Sequence, residues 1–230
     1  GVFKIAGKPK ENEAVPSSWT PDFFCHALAF YVNTDEIYDF ENPTDVDVKI
    51  MHFWRDDLLP VHSVDAAAGR IETAKPSSMR IRIDDNFIYE NVKEALSLPG
   101  EWYLDRTKEK LYYIPEEGDT VDNTVLYAGV SEKLLNIDSA KNISFQGIRF
   151  AHTDWDYVGK DGSFSGKVFE ESHPLYKNIE YGATHPQAAV ETPAAINIIA
   201  SSGINFTDCR FENISYTAVK FDKASKDCNI

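Results

Sequence analysis

The sequence predicts a mostly β protein, in which an N-terminal antiparallel region precedes a solenoid of short strands. The solenoid is predicted by a repeat, because residues 134–150 return at residues 195–211 after a shift of 61 positions. Identical residues occupy six aligned positions: Asn136/Asn197, Ile137/Ile198, Ile143/Ile204, Phe145/Phe206, Arg149/Arg210 and Phe150/Phe211. Short strand-like pieces that recur at a fixed spacing are typical of solenoid proteins. A third copy begins at Ala218, so we expect consecutive turns of one stack.

The first 125 residues show a different pattern and are predicted to form a separate β-rich region. Apolar and polar residues alternate, as in half-buried antiparallel strands, over residues 46–54, 59–64, 70–73 and 79–83. The turn DAAAG ends at Gly69 and predicts a hairpin between the second and third of these strands. Residues 89–97 carry apolar side chains at helical spacing and predict one short helix. Two aromatic strands joined by RTKEK predict a second hairpin over residues 101–115.

The predicted solenoid occupies residues 126–230 and is interrupted by a long excursion over residues 151–194. The interval from Ile204 to Ile230 is 26 residues and matches a single turn of the solenoid. The interval from Ile143 to Ile204 is 61 residues, which is 35 more. A loop of that length inside a compact domain is usually functional. The chain stops midway through a turn, so we expect the natural protein to continue beyond residue 230. An open end of the solenoid would also permit self-association.

Composition argues against several classes of function. The net charge of −14 argues against nucleic-acid binding, because phosphates require a basic face. No apolar run is long enough for a transmembrane helix, so no membrane span is predicted. The three cysteines are not placed at a zinc-binding spacing and no HExxH motif occurs, so neither a metal nor another cofactor is predicted.

One segment carries a family resemblance. PGEWYLDRTKEKLYYIPEEGD, at Pro99–Asp119, together with ENVKEAL before it, resembles a segment of bacterial right-handed parallel β-helix proteins of the pectin-lyase-like superfamily. Within that superfamily the chain is similar to glycoside hydrolase family 141 and related glycosidases. NISFQGIRFAHTDW at Asn142–Trp155 and QAAVETPAAI at Gln187–Ile196 extend the resemblance, which covers most of residues 45–230. The resemblance implies a single-stranded right-handed parallel β-helix, present here in part, and a secreted, periplasmic or cell-surface location.

The resemblance also implies a function, namely action on a plant or host polysaccharide or oligosaccharide. A glycoside hydrolase is the leading hypothesis. Two alternatives stay open, a non-catalytic glycan-binding or surface protein and a polysaccharide lyase, because a fold alone does not determine the reaction. A close pair of carboxylates in a groove would favour the hydrolase. Aromatic residues without such a pair would favour binding, and a calcium site beside an Arg or Lys would favour the lyase.

The predicted catalytic residues are Asp154 and Glu191. A glycosidase needs two carboxyl groups beside the scissile bond, one of which carries a proton near neutral pH. The excursion contains many acidic residues, but these two lie beside predicted strands rather than at the tip of a loop. Rigid elements hold catalytic geometry better than loops do, so this pair is preferred.

The predicted substrate-binding residues are His152, Trp155, His185, Gln187 and Asn197. Imidazole and amide side chains can exchange hydrogen bonds with sugar hydroxyls, and an indole ring can stack on the apolar face of a sugar. For His152 a structural hydrogen bond at a strand end is the competing interpretation. For Asn197 the competing interpretation is a stacked amide ladder with Asn136.

Overall fold

The structure is a computed structural model, and it describes residues 1–16, 25–154, 183–184, 194–222 and 224–230. The chain divides into two compact units. The first unit comprises Gly1–Thr124 with Tyr157–Val190, and the second comprises Val125–Asp156 with Glu191–Ile230. In the part of the chain that is described, no helix is long and apolar enough to cross a membrane.

Ten strands lie in the described part of residues 1–124. They are β1 (Phe3–Lys4), β2 (Ala14–Pro16), β3 (Cys25–Ala27), β4 (Ala29–Tyr31), β5 (Asp47–Met51), β6 (Asp56–Asp65), β7 (Arg70–Thr73), β8 (Asn86–Glu90), β9 (Trp102–Asp105) and β10 (Lys110–Tyr113). Single turns of 3-10 helix occupy Glu11–Glu13, Thr34–Glu36, Pro43–Asp45 and Lys93–Ala95. The remaining strands are β11 (Leu135–Asp138), β12 (Lys141–Gln146), β13 (Arg149–Ala151), β14 (Ala183–Thr184), β15 (Ala194–Ile199), β16 (Ser202–Thr207), β17 (Arg210–Glu212) and β18 (Thr217–Asp222).

A seven-stranded antiparallel sheet forms the centre of the first unit. Its strands follow the order β1-β8-β5-β6-β7-β4, and β14 also pairs with β6. In β5 the side chains alternate, so that Val48 and Ile50 are fully buried whereas their neighbours are not. These two residues join the buried rings of Phe30 and Phe87 in one apolar core. Alternation in the sequence therefore predicts the buried face of this sheet correctly.

Two predicted elements of this unit are absent from the described structure. Residues 79–83 alternate like a strand but form none, although Met79 and Ile81 are buried. The hydroxyl of Ser77 bonds to the backbone in this region. It accepts a hydrogen bond from the backbone N–H of Ala27 and donates one to the carbonyl of Met79. The short helix predicted over residues 89–97 is reduced to the 3-10 turn at Lys93–Ala95, because β8 extends to Glu90 and packs Tyr89 against the sheet core.

In the second unit, the described residues form three small parallel sheets with the orders β11-β15-β18, β12-β16 and β13-β17. Their register matches the sequence repeat residue by residue: Ile143 pairs with Ile204 and Phe150 with Phe211. The two rings of the second pair stack with centroids 5.3 Å apart. Fully buried Ile196 completes the apolar core of this unit.

The predicted fold class, a right-handed single-stranded parallel β-helix, is wrong. The largest sheet is antiparallel and has seven strands, whereas each parallel sheet has only two or three. The repeat determines how its own copies pair, because identical side chains stack in register. It carries no information about the longer N-terminal part. There short turns join β5 to β6 and β6 to β7, but the pairs β1-β8, β5-β8 and β4-β7 join strands that are far apart in the sequence.

Candidate functional site

Five side chains at and around the end of β13 form the candidate site, which we call the β13-end surface: Tyr127, Arg149, His152, Asp154 and Glu212. All of them belong to the second unit. His152 directly follows β13 and has a φ of 60°, in the left-handed region that few non-glycine residues adopt. Asn213, which directly follows β17 at the equivalent position of the repeat, has a φ of 50°, so this conformation belongs to the turn after each of the two strands.

The imidazole of His152 lies flat on the phenol ring of Tyr127. The two ring centroids are 4.4 Å apart and the ring planes differ by only 4°. Tyr127 is 68% exposed, so the opposite face of its ring is open to solvent. The pair therefore presents a flat aromatic surface whose edges carry a hydroxyl and a ring nitrogen.

Arg149 links this stack to an acidic side chain. Its Nη2 lies 3.4 Å from Nε2 of His152, and its guanidinium also pairs with the carboxylate of Glu212. A guanidinium can only donate, so in this contact Nε2 of His152 is the acceptor. Arg210 lies next to Arg149 in the register of β13 and β17, with its Nε 3.3 Å from the second carboxylate oxygen of Glu212.

Backbone contacts hold the turn after β13 from two sides. The backbone N–H of Asp154 donates to the carbonyl of Ser131 over 3.0 Å. Buried Thr153 accepts a hydrogen bond from the backbone N–H of Ser215, also over 3.0 Å. Gly129 packs so closely on this turn that a Cβ atom would come within 2.7 Å of the carbonyl carbon of Thr153. A glycine is therefore required where the segment that carries Tyr127 crosses the turn.

Two of the predicted site residues, His152 and Asp154, lie in the turn that follows β13. The side chain of Asp154 is exposed, so a substrate could reach it from solvent. Asn197 lies in the middle of β15, half-buried and in register with Asn136. Trp155, His185, Gln187 and Glu191, the remaining predicted residues, lie outside the described part of the chain.

An amide contact between neighbouring strands does occur, at a different place from the predicted ladder. The side-chain amide of Asn229 donates to the side-chain oxygen of Asn205 over 2.8 Å. The two residues are paired in a parallel bridge, so the contact ties the C-terminal segment to β16. A sequence-based search for amide ladders finds the identical pair at residues 136 and 197 but not this second pair, because Asn229 lies outside the aligned repeat.

Sequence reasoning missed Tyr127 as the partner of His152 and Glu212 as the partner of Arg149 and Arg210. Tyr127 precedes the repeat and lies in a stretch without periodicity, so no local pattern marks it. Arg149 and Arg210 are visible as a repeated pair, and their position in the repeat predicts that they lie side by side. The acidic side chain that joins them can be found only from the structure.

A second polar cluster, buried in the first unit, was also missed. His52 has a side chain that is only 2% exposed, and its Nε2 lies 3.1 Å from Oδ2 of Asp57. Its Nδ1 lies 3.6 Å from Asp85, within reach of charge attraction but too far for a hydrogen bond. Burial alone would lower the His52 pKa, but the hydrogen bond to Asp57 and the two carboxylate charges raise it to about 9.

The order of groups in this cluster does not suit nucleophilic catalysis. Asp57 accepts hydrogen bonds from both the backbone N–H and the hydroxyl of Ser78, at 2.6 and 2.5 Å. The carboxylate therefore lies between the hydroxyl and the imidazole of His52, whereas an activated serine needs the imidazole beside it. We assign the cluster a structural role. Among the described residues, no group of three or more His, Cys, Asp or Glu side chains is arranged to hold a metal ion.

Comparison with known proteins yields a likeness of fold. No protein-family model matches the chain, and no curated protein sequence matches it either. A solved structure titled "Glycoside hydrolase" is similar, with a TM-score of 0.53 and 18% sequence identity. The match covers 95% of this chain and 48% of the other, so this chain spans about half the length of that protein. The chain therefore has a glycoside hydrolase-like fold, and at this identity the likeness concerns the fold alone.

Proposed function

We propose that this chain is part of a carbohydrate-active protein that binds an oligosaccharide or polysaccharide at the β13-end surface. The observation that carries the proposal is the flat stack of Tyr127 on His152. Sugar rings have apolar faces that pack on aromatic rings, and the ring edges of Tyr and His supply hydrogen-bonding groups beside that contact. The likeness of fold to a structure titled glycoside hydrolase supports the same class of ligand.

The charged residues beside the stack suit sugar hydroxyls, which both donate and accept hydrogen bonds. Arg149 and Arg210 present donors, and Glu212 presents acceptors, all at the same edge of the β13-β17 pair. Arg149 and Arg210 supply two positive charges, and Glu212 and Asp154 supply two negative ones, so the charges at this surface balance. A sugar without a strong charge fits such an edge.

For the reaction, we propose hydrolysis of a glycosidic bond with Asp154 and Glu191 as the carboxyl pair. In such enzymes the two groups lie about 5–5.5 Å apart for retention of configuration and roughly 6.5–9.5 Å apart for inversion. Asp154 supports this role because it is exposed directly after the sugar-stacking turn. The fixed backbone of that turn would hold the carboxyl group in position.

Non-catalytic glycan binding is the second candidate, and the environment of Glu212 favours it. The carboxylate beside the stack is engaged by two guanidinium groups, whereas the acid of a glycosidase must carry a proton to the leaving oxygen. Under this hypothesis the stack of Tyr127 on His152 and the charged edge beside it bind a glycan, and no residue of the β13-end surface reacts with the glycan.

A panel of oligosaccharides tests both candidates with the full-length protein. If hydrolysis occurs, Asp154→Asn and Glu191→Gln should each lower kcat by a factor of about a hundred or more. Tyr127→Ala should weaken binding about tenfold, whereas Tyr127→Phe keeps the ring and should bind almost as the natural protein does. Full turnover in both carboxyl variants would refute the assigned pair. Binding without turnover would favour the second candidate, and binding that is indifferent to Tyr127→Ala would refute the site.

A further inference from the structure

The outer face of the β9-β10 hairpin in the first unit is apolar and exposed. Tyr113 lies directly opposite Trp102, and Leu111 lies opposite Leu104. Opposed residues of an antiparallel pair share a face, so these four side chains form one surface, which we call the hairpin platform. Trp102 is 61% exposed, and both leucines are also exposed. A tryptophan ring left open to solvent on a regular strand is not explained by packing within this unit.

The inner face of the same hairpin is firmly anchored, which makes the platform rigid. Tyr103 is buried and its hydroxyl donates to the buried carboxylate of Asp45 over 2.8 Å. Lys93 places its Nζ 4.7 Å from the ring centroid of Tyr112. Asp105 is fully buried and accepts a hydrogen bond from the backbone of the hairpin turn. A ligand on the outer face would therefore meet a surface that loses little conformational freedom on binding.

Acidic groups surround the Trp102 end of the platform. The hydroxyl of Tyr113 donates to Oδ2 of Asp119 over 2.5 Å, which orients the phenol ring. Glu101, the residue before Trp102, accepts hydrogen bonds from two backbone N–H groups in the preceding turn. Those hydrogen bonds hold the pKa of the Glu101 carboxyl below its usual value, so this end of the platform is negatively charged.

The size of the platform argues for a small ligand rather than a protein partner. Its exposed side chains present on the order of 300 Å² of apolar surface, judged from aromatic side chains of about 150–250 Å² each. A stable protein interface needs about 800 Å² from each partner. A row of two or three sugar rings on one tryptophan and its neighbours needs far less. The acidic end would accept hydrogen bonds from sugar hydroxyls and would repel anionic glycans.

We propose that the hairpin platform is a binding site for a neutral oligosaccharide, with one sugar ring stacked on Trp102 and hydroxyl groups donating to Asp119. The proposal rests on the proposed function in taking a carbohydrate as the ligand, but it uses a separate set of residues. The platform lies in the first unit, and the β13-end surface lies in the second. The two sites can therefore be tested by separate substitutions.

The test titrates the full chain with cellohexaose, xylohexaose and mannohexaose, and with an oligogalacturonate of similar length. Tryptophan fluorescence and calorimetry report binding. We expect at least one neutral oligosaccharide to change the emission and Trp102→Ala to weaken its binding about tenfold. Trp102→Phe should restore part of the affinity. The matched control is Phe53→Ala, which removes an exposed aromatic ring of the same unit outside the platform and should leave the affinity measured by calorimetry unchanged.

The outcomes separate this proposal from the proposed function. Binding that depends on Trp102 but not on Tyr127 supports the platform and refutes the β13-end surface. Binding that depends on Tyr127 but not on Trp102 refutes the platform and leaves the proposed function intact. The platform is also refuted if no neutral oligosaccharide binds, or if the oligogalacturonate binds Trp102 as tightly as the neutral ones do.

Discussion

The buried His52 cluster predicts that the first unit loses stability as the solution becomes alkaline. His52 is enclosed beside Asp57 and near Asp85, and the two carboxylates stabilise its protonated form. Burial opposes this effect, but the hydrogen bond to Asp57 and the charges prevail and raise the pKa from 6.5 to about 9. A histidine in the unfolded chain keeps its ordinary pKa, so the folded chain binds the proton more tightly.

The size and the sign of the effect follow from that difference. A pKa raised from 6.5 to about 9 corresponds to about 3 kcal/mol of stability. Because the folded pKa is the higher one, this contribution is fully present below about pH 6.5 and is lost as the pH rises through about 9. The side chain is almost completely buried, so screening by solvent changes the value little.

Urea denaturation at about pH 6 and about pH 9.5 measures the loss. We expect the free energy of unfolding of the natural chain to fall by about 3 kcal/mol more than that of His52→Gln between these conditions. His62→Gln, at an exposed position of β6, is the control and should behave as the natural chain does. An NMR titration of the His52 ring checks the midpoint directly. Equal losses in the natural chain and in His52→Gln, or a midpoint near 6.5, would refute the reasoning.

Three further substitutions test the packing described above, each by chemical denaturation. Tyr103→Phe should cost about 1–3 kcal/mol, because the buried carboxylate of Asp45 loses a donor; an unchanged stability would mean that water replaces the hydroxyl. Gly129→Ala should cost about 1–3 kcal/mol through its 2.7 Å clash and also weaken glycan binding. Ile196→Ala should cost about 2–5 kcal/mol, whereas Ile148→Ala, at a residue 41% exposed, should cost far less; similar losses would contradict the described core.

Parts of the fold could be predicted from the sequence because they depend on local pattern. Alternation over β5 and the turn that ends at Gly69 are local features, and both appear in the structure as predicted. The pairing of Phe145 with Phe206 also follows from the sequence, since identical residues at a fixed shift stack in parallel register. The strand predicted over residues 79–83 does not form, and the carbonyl of Met79 accepts from the Ser77 hydroxyl rather than from a strand partner.

The sequence by itself determined the β character of this chain, the register of its repeated strands and the position of His152 and Asp154 directly after β13. Only the tertiary structure decided the fold class, because the N-terminal strands pair across distances that no repeat or periodicity records. It also brought Tyr127 onto His152 and Glu212 between two arginines, contacts that join residues up to 63 positions apart. Local chemistry sets the conformation of each segment, whereas a site depends on which segments meet in the folded chain, and that is settled by the packing of the whole core.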